Sequence, residues 1–212
     1  ETAHELTRQM KENLDIVNGN IVRTTDGEIL MSLGDLATEK LYSLTNNGHL
    51  TAESSYQIKN NAYSFGCTFV EVEVDIPGCK AQVTDILNVH DCGRLINPAL
   101  AEAQVHGGMS MAIGYALSEK MLYDERTGKP LNNNLLDYKL STFMDHPDLH
   151  AAFIENYEPT SAYGTKALGE PPTCSPAPAI RNAILQATGV ALNEIPMRPH
   201  LLFEKFTEAG LL

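Results

Sequence analysis

Three observations predict an α+β fold of mixed sheets with packed helices. Val70, Val72 and Val74 alternate with Glu71, Glu73 and Asp75, the two-residue period of a half-buried strand. Asn97-Pro98 opens a long apolar helix crowded with small residues. Ser175-Pro176 pairs a capping residue with a proline in the first helical turn, and Pro196 and Pro199 lead into one more helix.

In chain order, Thr2 to about Asn18 reads as an amphipathic helix, with Leu6, Met10, Leu14 and Val17 on one stripe, ended by Asn18-Gly19-Asn20. Ile21-Val22-Arg23 and Glu28-Ile29-Leu30 flank Asp26-Gly27, a short hairpin signal. Ser32 begins a helix through Leu36, Ala37, Leu41 and Leu44, and residues 45–52 form a polar loop. After the valine strand, Pro77-Gly78 turns the chain and Ala81 to Val89 returns as a more apolar strand, closed by Asp91-Cys92-Gly93. The helix from Asn97 runs to about Leu122. Glycine inside a helix costs up to about 1 kcal/mol relative to alanine, so adjacent Gly107 and Gly108 need a reason. Gly108, Ala112 and Ala116 share one face at a spacing of four, which favours close packing over ligand contact. Asp124 to Lys129 is a polar turn, Leu149 to Tyr157 a buried strand, and Ser175 to Thr188 a helix ended by Gly189. With no internal repeat and no linker, residues 1–212 are expected to form one compact domain, with two lobes as the variant.

Composition narrows the function. At 43% hydrophobic and 20% charged residues, the 212-residue chain is a folded protein rather than a disordered one. A net charge of −12 without a Lys/Arg-rich run argues against a nucleic-acid backbone as the main partner. No stretch is apolar for the length of a bilayer and no signal-peptide pattern opens the chain, so a reducing cytoplasm is expected. Cys67, Cys79, Cys92 and Cys174 fit neither a zinc nor an iron–sulfur ligand set, and small buried hydrophobes describe them best. Cys79 is the one expected at the surface, beside a turn. The chain opens at Glu1 without a methionine, which reads as a processed start or as a piece of a longer polypeptide.

The segment richest in chemistry is Lys166-Ala167-Leu168-Gly169-Glu170-Pro171-Pro172. A residue before proline is pushed towards extended backbone. Glu170 is therefore expected outside any helix, on a stiff strap a few residues ahead of a helix start. Gly169 lets the backbone approach a bulky ligand. A general base has to stay within hydrogen-bond reach of its proton, and such a strap suits one. On these seven residues alone, a solvated loop glutamate is the simpler description. His146 and His150 have helical spacing but Pro147 lies between them, and His106 reads as a satisfied polar residue at a packing interface. Asp91 and Arg94 read as a local structural pair. No serine nucleophile elbow or phosphate-cradling loop is present.

Five segments in order resemble one family: Phe65-Gly66 with the valine strand, Asp91-Cys92-Gly93-Arg94-Leu95-Ile96-Asn97-Pro98, Gln104-Val105-His106-Gly107-Gly108, Asp137-Tyr138-Lys139, and Tyr163-Gly164-Thr165-Lys166 through Pro172. Together they resemble the C-terminal portion of the molybdenum-binding subunit of the xanthine dehydrogenase and aldehyde oxidase family of molybdenum hydroxylases. Nearly all of the chain is covered, as the C-terminal part of the second molybdenum-cofactor-binding domain. Where many members carry Gln-Gly one turn beyond the double glycine, this chain has Met111-Ala112.

The resemblance implies a molybdenum held by the dithiolene of a pterin, either plain molybdopterin or its cytosine dinucleotide form, with no protein side chain as metal ligand. It implies Glu170 as the general base that deprotonates a metal-bound hydroxyl in a closed apolar pocket, with Leu168 and Gly169 running close to the cofactor. The substrate is a small molecule, with a purine-like heterocycle suggested by Tyr163-Gly164 and nicotinate or an aldehyde as rivals. Iron–sulfur clusters and FAD are expected on partner chains, and the rest of the cofactor site on the remaining molybdenum-binding chain or fragment. A noncatalytic scaffold that keeps the fold and an acidic assembly module for iron–sulfur partners are the readings from other classes.

Overall fold

A computed structural model describes residues 13–42, 48, 49, 51, 53, 55–58 and 60–212. The chain divides into two units, Glu1–Tyr56 and Gln57–Leu212.

The first unit holds a three-stranded antiparallel sheet, β1 (Leu14–Val17), β2 (Asn20–Arg23) and β3 (Ile29–Ser32), followed by helix α1 (Leu33–Tyr42). Leu14 to Val17 is thus a strand and not the end of a helix; Leu6 and Met10 of the expected stripe lie outside the described residues. Asn18 and Gly19 have φ of 49° and 76°. Two successive left-handed residues build the two-residue turn that matches strand twist, so Asn-Gly joins β1 to β2 instead of ending a helix. The Asp26-Gly27 hairpin forms as expected, with Ile21 opposite Met31. Ser32 caps α1: its Oγ accepts from the Asp35 N–H at 3.0 Å and donates to Asp35 Oδ2 at 2.7 Å. Leu44 lies outside the described residues.

The second unit is built on a mixed sheet. β4 (Phe65–Asp75) pairs antiparallel with β5 (Lys80–Asp91), and β5 pairs in parallel with β6 (Leu149–Phe153). Helices α2 (Pro98–Leu117), α3 (Pro171–Cys174), α4 (Pro176–Thr188) and α5 (Pro199–Glu208) complete it. Val83 and Ile86 pack with Val105, Met109 and Ile113 of α2 and with Ile180, Ile184, Leu202 and Phe206 into one core. Val70, Val72 and Val74 are half-buried against it, while Glu71, Glu73 and Asp75 are exposed, as their alternation predicts. The strand expected over Leu149 to Tyr157 stops at Phe153 and is half-buried.

Asn97 caps α2, its Oδ1 accepting from the Leu100 N–H at 3.1 Å. The helix ends at Leu117, short of the expected Leu122. The Ser118 and Glu119 amides both turn back to the Gly114 carbonyl at 2.9 Å. The Glu119 carboxylate folds over Gly114, where a Cβ would lie 2.0 Å from its Oε1. It is held there by the Tyr138 hydroxyl at 2.7 Å. Gly189, with φ of 74°, ends α4 as expected. Among the described residues no helix is long and apolar enough to cross a membrane.

The cysteines are redistributed. Cys79 is buried beside its turn, with its thiol directed at the Ile76 carbonyl, and Cys92 is buried; Cys67 and Cys174 are exposed. Cys67 faces outward because it falls on the odd, solvent side of β4.

Candidate active site

The strap carrying Glu170 is held at three places, each by a segment distant in sequence. At its start, Lys166 Nζ lies 2.7 Å from Asp91 Oδ2, with the two side chains only 4% and 12% exposed. Burial alone would raise the Asp91 carboxyl. The Lys166 ammonium, the Gly93 N–H and the Asn156 amide outweigh it and hold the group below the usual aspartate range. The Lys166 N–H donates to the Cys92 carbonyl at 2.7 Å, and the Arg94 N–H to the Gly164 carbonyl at 2.9 Å. A Cβ on Gly93 would lie 2.2 Å from that carbonyl oxygen. The Asp91–Arg94 pair expected from the sequence is therefore replaced by Asp91–Lys166. Lys166 reaches the carboxylate from across the fold, and Arg94 contributes its backbone instead.

In the middle, Gln104 Nε2 donates to the Gly169 carbonyl at 2.6 Å. At the end, Pro172 rests on α2 where it has no side chain: a Cβ at Gly108 would lie 2.6 Å from Pro172 Cβ. This is the reason for the second glycine of the pair. Gly108, Ala112 and Ala116 are all buried, so the small-residue face is a packing face and its partner includes the strap itself. The fully buried Asn88 donates from Nδ2 to the Pro172 carbonyl at 3.1 Å and accepts from Thr68 Oγ1 at 3.1 Å. The Tyr115 hydroxyl donates to the Thr173 carbonyl.

Glu170 itself departs from expectation in backbone and in burial. Its φ of −96° and ψ of −26° make it the N-cap of α3, in the shallow helical region rather than extended. Its carbonyl accepts from the Thr173 N–H at 2.9 Å and from Thr173 Oγ1 at 2.8 Å, which offsets the pre-proline crowding. Ser175 stands at the N-cap of α4 but makes no capping bond; its hydroxyl lies 2.6 Å from Thr68 Oγ1 instead. The Glu170 side chain is exposed, and no hydrogen bond or ion pair from the described residues holds its carboxylate. Among the described residues no side chain closes an apolar pocket around it. The backbone is pinned and the acid is free.

Leu168 is half-buried against the core, so its side chain packs inward. A Cβ on Gly169 would meet nothing within 4 Å. Nothing among the described residues requires glycine there, and the open backbone beside Glu170 leaves room for a bulky group such as a metal–pterin. Because that group brings its own metal ligands, the lack of any cluster of three His, Cys, Asp or Glu among the described residues is compatible with it. His106 is not the satisfied residue expected: its Nε2 has no hydrogen-bond partner among the described residues and lies 3.8 Å from Glu102 Oε1. His90 is 1% exposed, with neither ring nitrogen hydrogen-bonded by another side chain among the described residues, and is seated against Gly66. Gln104 belongs to a recognised segment, yet only its bond to Gly169 gives it a part at the site.

Comparison with known proteins identifies the family of the chain. A family profile described as "Molybdopterin cofactor-binding domain" matches residues 1–147. The chain is 51% identical over 208 residues to the putative xanthine dehydrogenase molybdenum-binding subunit XdhA of Escherichia coli, covering 98% of this chain and 28% of that protein. It is 32% identical over 174 residues to the aldehyde oxidoreductase molybdenum-binding subunit PaoC of Escherichia coli, covering 79% of this chain and 24% of the relative. Its fold superposes on quinoline 2-oxidoreductase from Pseudomonas putida 86 with a TM-score of 0.84 and 26% identity, over 98% of this chain and 27% of that one. The chain thus spans about a quarter of the length of these relatives. It belongs to the molybdopterin cofactor-binding domain family, within the molybdenum hydroxylases of the xanthine dehydrogenase and aldehyde oxidase type.

Proposed function

We propose that the chain is the part of a molybdenum hydroxylase that supplies the general base, Glu170, for oxidising a carbon of a purine-like N-heterocycle with water as the oxygen source. The observation that carries this reading is the contrast between a backbone tied at Lys166, Gly169 and Pro172 and a carboxylate left unpaired at the end of it. When bound, a molybdenum–pterin group supplies a water-derived hydroxyl of lowered pKa and takes up two electrons. Glu170 receives the proton at a carboxylate oxygen, and Gly169 leaves its backbone open to the group. Gln104 fixes the Gly169 peptide, and the Asp91–Lys166 pair and Gly108 keep the strap from swinging away. Holding the base within reach is an orientation effect, and a 1 Å displacement costs about 10²-fold in rate.

The remaining walls of the site, with FAD and iron–sulfur clusters, belong to the rest of the molybdenum-binding polypeptide and its partner subunits in a cytoplasmic assembly. The identity of 51% to a putative xanthine dehydrogenase subunit, against 32% to an aldehyde oxidoreductase subunit, favours a purine over an aldehyde. The test is Glu170→Gln in the assembled enzyme. We expect turnover to fall by about 10²–10⁴-fold, the usual contribution of a positioned acid–base group, with cofactor content unchanged. Unaltered turnover would leave a scaffold that merely keeps the fold.

A further inference from the structure

In the sheet order β4-β5-β6, β4 has a partner on one edge only among the described residues. It is 11 residues long, and Phe65-Gly66-Cys67-Thr68-Phe69-Val70 contains no charge and no proline. Free edges are normally kept short or guarded by lysine or proline, because a bare row of N–H and C=O groups recruits another strand. Phe65 and Phe69 stand 66% and 59% exposed on the outward face. A groove of about 760 Å³ is lined by Phe69 and Glu71 of β4, by Asp85 and Leu87 of its partner β5, and by Pro178 and Asn182 of α4. A strand edge walled by a helix is the architecture used to take up an extended segment by main-chain pairing. At the far end Glu71 stands opposite Asp85 in the register, a like-charge pair on one face of the sheet. Asp85 Oδ1 has His150 Nε2 at 3.4 Å, whereas Glu71 has no cation beside it among the described residues.

We propose that an extended strand from the remaining length of the molybdenum-binding polypeptide adds to the free edge of β4. It lays apolar residues beside Phe65 and Phe69 and a lysine or arginine at Glu71. The source follows from the chain's share of its relatives, 27–28%, which leaves most of such a subunit to supply a strand. The inference rests on the proposed membership of a larger assembly and not on the role of Glu170.

Residue-resolved hydrogen exchange on the assembled subunit and on the 212-residue chain alone tests it. Amides point alternately to the two edges of a strand, so strand addition slows every second amide from Gly66 to Glu71, by about tenfold or more. Uniform slowing, or none, overturns the proposal. Alternate protection in the isolated chain that grows with concentration, together with a sedimenting dimer, assigns the edge to a second copy and overturns it too. Glu71→Lys is expected to lower assembly yield by about tenfold at low salt, the loss shrinking as salt screens the pair, while the denaturation midpoint of the isolated chain does not fall, because the like-charge pair with Asp85 becomes an opposite-charge one; an unchanged yield refutes the cationic partner. An active assembly without protection at β4 sinks the strand and spares the proposed function. An assembly that contains no molybdenum does the reverse.

Discussion

Adjacent glycines on α2 make opposite predictions. A Cβ at Gly107 meets nothing within 4 Å, whereas one at Gly108 lies 2.6 Å from Pro172 Cβ and 3.0 Å from its carbonyl carbon. Carbon atoms rest at about 3.5–4.0 Å, so Gly108→Ala has to push Pro172 away by about 1 Å. Overpacking of this kind costs about 1–3 kcal/mol, against a helix-propensity gain of about 0.5–1 kcal/mol. Gly107→Ala keeps the gain alone. We therefore expect Gly107→Ala to raise the urea midpoint and Gly108→Ala to lower it, a separation of about 1–3 kcal/mol. Pro172 is two residues from Glu170, so a shift of about 1 Å there also predicts about a 10²-fold loss of turnover in the assembled enzyme. Stability is read by urea denaturation with the slope checked for constancy, and turnover by single-turnover kinetics. Equal midpoints for the two variants, with full turnover in Gly108→Ala, would refute the account of the clamp.

Lys166→Met leaves Asp91 buried without its cation and should cost about 3–5 kcal/mol by denaturation, most of it recovered when Asp91 is also made apolar. Burial depresses the His90 pKa from its ordinary 6.5, only partly opposed by the Phe65 backbone, so the native state refuses a proton that the unfolded chain accepts. Stability should be flat above about pH 6.5 and decline below it, and His90→Met should flatten that decline between pH 6.5 and 5 in thermal scans. Asp91, whose pKa is lowered, adds a separate loss only at lower pH, as protonation breaks its pair with Lys166. Thiol titration of the native chain should modify Cys67 and Cys174 rapidly, and Cys79 and Cys92 only after denaturant is added.

Local signals were legible wherever one residue type dictates a backbone state. The Asp26-Gly27 hairpin, the caps at Ser32 and Asn97 and the stop at Gly189 follow from side chains that satisfy or free the adjacent backbone. The valine strand follows from its alternation. Two signals in direct competition were resolved wrongly. Asn18-Gly19 carried both a helix stop and a hairpin turn, and the apolar stripe before it favoured the helix. Pro171 argued for extended backbone at Glu170, and the hydroxyl and amide of Thr173 outweighed it.

By itself the sequence determined the family, the order of the main strands and long helices of the second unit, though not the short α3, and the identity of the strap that carries Glu170, because these are written in contiguous motifs. Only the tertiary structure decided that Asp91 takes Lys166 rather than Arg94, that Gly108 is empty for the sake of Pro172, and that Gln104 holds Gly169. Each joins residues more than sixty positions apart. The residues fix what each group is able to bond, but which candidates meet depends on the layering of sheet on helix, and that geometry belongs to the packed chain.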